Sequence, residues 1–139
     1  MRQILVTLIA LLAADAVAAA DHARGTEGLV PFDYRIEAGG DRPLACAASI
    51  AHWYSTELGR VEPGGSLVIA LWRDPASGAV YRLNEVGDRM PVERLWCGVE
   101  GRAWATGALL PLERLRGDIA PALALACKPE GDRVRCVAA

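Results

Sequence analysis

Four cysteines and two histidines offer this chain most of its chemical scope: Cys46, Cys97, Cys127 and Cys136, with His22 and His52. A catalytic zinc takes about three protein ligands and a structural zinc four. The cysteines contain no C-x-x-C spacing, which removes both a thioredoxin-like redox pair and a paired-cysteine zinc knuckle. An even number of widely spaced cysteines in an exported chain reads instead as two disulfides. Once the sulfurs are oxidised, no closed nitrogen–sulfur ligand set survives, and His52 reads as a half-buried sheet histidine. Calcium wants clustered Asp and Asn at alternating spacing, a pattern this chain lacks. The expectation is therefore no metal and no cofactor.

Nucleophilic catalysis finds little support. Ser66 follows Gly64-Gly65 but lacks the G-x-S-x-G elbow that would expose it. Ser49 and Ser55 lie near His52 in sequence, with nothing to orient them. Two acids meeting across a cleft leave no local signature, and Glu85, Asp88 and Glu93, which flank one loop, are the ones a small hydrolase would use. The simpler reading of that loop is a solvated one, so the expected protein is not an enzyme.

Strand geometry argues the cysteine pairing. Leu123, Leu125 and Cys127 alternate with Ala124, Ala126 and Lys128, and Val134 and Cys136 alternate with Arg133 and Arg135. A two-residue turn at Gly131-Asp132 sets Glu130 opposite Arg133, Pro129 opposite Val134 and Cys127 opposite Cys136. The cysteines then fall on a non-hydrogen-bonded pair, where side chains approach most closely. Cys46 with Cys97 is the remainder.

The same strand geometry gives a candidate contact surface. With a two-residue turn at Glu100-Gly101, Cys97 faces Trp104, and Leu95, Cys97, Val99 and Trp104 share the buried side. Trp96 then lies on the opposite side with Arg94, Gly98, Ala103 and Ala105. One large ring and one planar cation among small residues suit a contact surface at Arg94 and Trp96. If a loop or second sheet covers Trp96, it is core instead. Trp53 and Trp72 are expected in the core.

These residues need elements to hold them. Phe32, Tyr34 and Ile36 alternate with polar neighbours over 32–37, a strand ended by Gly39-Gly40-Asp41. Residues 45–58 fit either a helix face (Ala47, Ile50, Ala51, Tyr54, Leu58) or a strand. The next few residues favour the strand. Leu58-Gly59-Arg60-Val61-Glu62-Pro63-Gly64-Gly65-Ser66 resembles the L-G-x-V-x-P-G-x-S connection of bacterial immunoglobulin-like sandwiches, which implies a fold and no activity. Residues 67–73 and 79–84 read as strands around an Asp74–Gly78 turn. Residues 84–91 read as a loop, 92–99 and 102–106 as a hairpin, and 109–119 as a short strand or helical turn. Turn signals every eight to twelve residues indicate a mainly β fold, a small antiparallel sandwich, immunoglobulin-like or barrel-like, with two disulfides.

Of the 139 residues, 1–20 read as a cleaved signal peptide. Arg2 provides the charged start, residues 4–14 a short apolar core, and Ala18-Ala19-Ala20 or Ala16-Val17-Ala18 the cleavage pattern. Residues 21–30 read as a flexible lead-in and 31–139 as one disulfide-stabilised domain, with no membrane span after cleavage. Cleavage removes one base, Arg2, and one acid, Asp15, so the net charge stays at −2. That balance argues against nucleic acid or an anionic membrane as partner. Of the 15 basic residues, 14 are arginines, whose flat bidentate groups favour contact with carboxylates and aromatic rings. Together these features predict a periplasmic or secreted, non-enzymatic β domain that contacts another exported protein as an accessory component. The alternatives are a secreted inhibitor of a hydrolase, or the small carboxylate hydrolase.

Overall fold

A computed structural model describes residues 23–51, 53–117 and 123–139. The expected signal peptide, His22 and His52 lie outside the described residues.

The elements in chain order are β1 (Val30–Pro31), β2 (Tyr34–Ala38), β3 (Leu44–Ile50), β4 (Tyr54–Val61), β5 (Ser66–Ile69), β6 (Trp72–Arg73), β7 (Val80–Leu83), β8 (Arg89–Val99), the single-turn helix α1 (Ala103–Thr106), β9 (Ala108–Leu110), β10 (Leu123–Glu130) and β11 (Arg133–Ala138). They form two sheets. The larger runs β1-β6-β7-β8-β3-β4, with β9 beside the second half of β8; the smaller runs β11-β10-β2-β5. One apolar cluster joins them: Tyr34, Ile36, Leu125 and Val134 from the smaller sheet meet Leu44, Ala48, Val92 and Leu95 from the larger. Period-two alternation produces this directly, since Tyr34, Ile36 and Ala38 are buried while Arg35 and Glu37 are exposed. The fold is a mainly β sandwich, as expected.

Both cysteine pairs are directly opposed in register and bonded, Cys46 with Cys97 across β3–β8 and Cys127 with Cys136 across β10–β11. The Cα atoms stand 4.1 and 4.0 Å apart. Each bridge therefore staples neighbouring strands of one sheet, one bridge per sheet, on the face turned to the core. The hairpin register is the expected one, from Glu130 opposite Arg133 to Cys127 opposite Cys136, with Gly131 at φ +61° beginning the turn.

Among the described residues of 45–58 there is no helix. Leu44, Cys46, Ala48 and Ile50 are buried in alternation, and β3 pairs antiparallel with β4. The stretch 58–66 carries the chain from β4 in the larger sheet to β5 in the smaller.

Four expectations need correction. The strand read over 67–73 is two strands, because the chain crosses between sheets at Ala70 and the fully buried Leu71. The loop read over 84–91 is shorter, since β8 begins at Arg89 and Pro91 pairs with Tyr81. The smaller sheet is not wholly antiparallel: β10 runs parallel to β2, Leu125 opposite Ile36. The second strand read over 102–106 is absent, because Ala103–Thr106 is α1 with Arg102 as its N-cap, so the partner of Cys97 in β9 is Ala108 and not Trp104.

Long arginines hold the irregular segments. Arg89 donates to the carbonyls of Gly25 and Glu27, Arg24 pairs with Asp88 at 2.9 Å, and β1 pairs with β6, so the expected lead-in is tied to the larger sheet. The wholly buried Arg73 donates to the carbonyls of Leu115 and Gly117 and anchors residues 111–117.

Candidate functional site

The outer face of the larger sheet is built by the β3 alternation. Ala48 and Leu95 point into the core, so the rows between them point outward. One outward row holds Ser55, Ser49 and Arg94; the next holds Glu57, Ala47, Trp96 and Leu109 across four strands. The register shifts between Ser49–Arg94 and Ile50–Val92, which leaves Glu93 as the extra residue of a bulge. Bulges re-aim side chains, and this one brings consecutive residues, Glu93 and Arg94, to the same hollow.

Helix α1 closes one side. It lies against β8 because Gly98 and Gly107 carry no side chain: a Cβ on Gly98 would stand 2.6 Å from the Ala103 Cα, and one on Gly107 would meet the Trp96 ring at 3.2 Å. Thr106 locks the turn. Its buried hydroxyl accepts from the Val99 N–H and donates to the Arg102 carbonyl, both at 2.8 Å. Trp104 then packs edge-on against Trp96, with centroids 5.0 Å apart and planes at 77°. Trp96 is left 5% exposed and Trp104 65% exposed.

The result is a hollow of about 590 Å³ lined by Ala47, Ser49, Ser55, Glu93, Arg94, Trp96, Ala103 and Trp104. Small residues form its floor. The Trp96 indole N–H is buried and has no hydrogen-bond partner among the described residues. No hydrogen bond or ion pair engages the Arg94 guanidinium among the described residues, whereas Glu93 has an interaction of its own. At the neighbouring end of the face, Trp53 is 89% exposed and Tyr54 is exposed, at the tip of the β3–β4 hairpin beside Ser55.

The structure brings Arg94 and Trp96 together, on the side of β8 away from the disulfide, as β periodicity predicts. Trp96 itself lies beneath Trp104, the ring that the sequence places on the wrong side of the hairpin. Trp53, expected in the core, is at the surface. The three suspected acids do not converge. Asp88 is held by Arg24 and by the Asn84 side-chain amide at 3.1 Å, Glu85 is an exposed turn residue, and Glu93 lines the hollow. Ser66 opens β5 on the other sheet. Among the described residues, no group of three His, Cys, Asp or Glu side chains is placed to hold a metal. Sequence reasoning misses Trp53, Tyr54 and Trp104 as surface groups; the signal available for Trp104 is the Gly98…Gly107 pair bracketing Ala103. Comparison with known proteins finds no matching family model, no matching curated protein and no matching solved structure.

Proposed function

We infer that this is an exported, non-enzymatic β domain that works by contact with another exported protein, as an accessory or binding component of a periplasmic system. Two disulfides, and the absence of any helix long and apolar enough to cross a membrane among the described residues, are consistent with a secreted protein. Residues 1–20 act as the leader in this reading. The observation that carries it is the exposure of Trp53 and Tyr54 together on one hairpin tip, braced at its base by the Cys46–Cys97 bridge. Aromatic rings on a rigid support are the usual anchors of a protein interface, because they bury large areas at small cost in side-chain entropy.

The test is crosslinking in the producing cell followed by purification, with the wild type beside a Trp53→Ser, Tyr54→Ser double variant. The reading expects one stoichiometric partner, lost in the variant while both disulfides remain formed. A variant that retains the partner, or a wild type that emerges alone, overturns it. If the partner is a hydrolase and addition of the domain abolishes its turnover, the contact is inhibitory.

A further inference from the structure

We propose that the hollow between Arg94 and Trp104 is a binding site for a carboxylate carried on a flat apolar body. Among the described residues, the polar groups of the lining with unspent hydrogen-bonding capacity can all donate: the Arg94 guanidinium and the Ser49 and Ser55 hydroxyls. The one acid, Glu93, is already engaged. Arginine adds a planar fork matched to a carboxylate, and its row-mates Ser49 and Ser55 sit beside it on adjacent strands. The exposed Trp104 ring supplies the apolar wall, and the volume suits a ligand of one or a few residues' size. Trp104 packs over the Trp96 ring, so occupation of the hollow changes the surroundings of both indoles.

This chemistry is shared by free arylalkanoates and by the aromatic C-terminal residue of a polypeptide. The site is separate from the Trp53–Tyr54 contact, and either can fail without the other. The probes are 3-phenylpropionate and the tripeptide Ala-Ala-Phe, each beside its neutral amide, titrated calorimetrically into the full oxidised protein. Both carboxylates are expected to bind and to shift tryptophan emission, with each amide weaker by about tenfold or more. Arg94→Gln is expected to abolish that preference without lowering the melting temperature, and Trp104→Ala to weaken acid and amide alike. Equal affinity for acid and amide, retention of the preference in Arg94→Gln, or no binding by either carboxylate overturns the proposal. A tripeptide that binds far more tightly than phenylpropionate identifies a chain terminus as the natural ligand; equal binding identifies a free acid.

Discussion

Gly98 lies directly beneath Ala103, so close that a Cβ on the glycine would stand 2.6 Å from the alanine Cα and collide with its carbonyl oxygen. This contact decides the shape of the outer face. It lets α1 fold flat on β8, and α1 in turn carries Trp104 onto Trp96. Gly98→Ala must lift the helix, because the obstructing atoms are backbone and cannot rotate away. The expected loss is about 1–3 kcal/mol in urea unfolding. It should be accompanied by a red shift of tryptophan emission as Trp96 is uncovered. A stability and emission spectrum unchanged from wild type would show that α1 does not depend on this glycine.

The bridges invite a second measurement. The Cys46–Cys97 bridge spans 51 residues and the Cys127–Cys136 bridge spans 9. Chain entropy alone assigns them about 4 and about 2.6 kcal/mol. Paired Cys→Ala variants should therefore order with the long loop as the larger loss. Peptide mapping without reductant should find only these two linkages.

What could be read in advance divides along the distance over which the information acts. The Cys127–Cys136 register follows from a two-residue turn and a two-residue period, both local, and the structure reproduces it pair by pair. The burial of Tyr34 and Ile36 against Arg35 and Glu37 is local for the same reason. Residues 67–73 look like one strand because their apolar run is unbroken, and only the second sheet decides that Ile69 and Trp72 belong to different layers. The parallel β10–β2 pairing joins segments almost ninety residues apart and leaves no mark in either. At the hollow, Arg94 and Trp96 share the side that periodicity requires. The ring that covers Trp96 is missed because Ala103–Thr106 has no turn or charge signature, only two flanking glycines whose purpose appears once the sheet exists.

Acid sensitivity should trace to the Asp74 turn. The Ala76 backbone N–H at 2.9 Å, and then the Ser77 hydroxyl at 2.8 Å, hold the Asp74 carboxyl below its ordinary range. A carboxyl lowered in the folded state stabilises the protein above its unfolded pKa, near 4, and that contribution disappears as pH falls through the folded value. Asp74→Asn should be less stable than wild type at neutral pH and should have a flatter stability curve below about pH 4. Parallel curves for the two proteins through the acid range would exclude Asp74 as a source of the acid dependence.

Tyr34 gives a prediction of opposite sign. Its ring is wholly buried, packed edge-on against Phe32 at 5.6 Å, and its hydroxyl has no hydrogen-bond partner among the described residues. Burial, and secondarily the Glu113 carboxylate, push its ionisation far above the ordinary phenol range, so the hydroxyl stays neutral at any pH the fold tolerates. The group thus bears the cost of leaving water without the return of a bond, a cost of about 1–3 kcal/mol in proteins. Tyr34→Phe keeps the ring and its packing and removes only the orphan oxygen, at the risk of a small void. Core substitutions of this size usually destabilise; here the expected result is a melting temperature equal to or above that of wild type. Tyr34→Leu, which loses the edge-on contact with Phe32 and part of the volume, should fall below both. If Tyr34→Phe instead loses more than about 1 kcal/mol, the hydroxyl has a partner, an ordered water being the first to look for, and the core is wetter at β2 than its apolar lining implies.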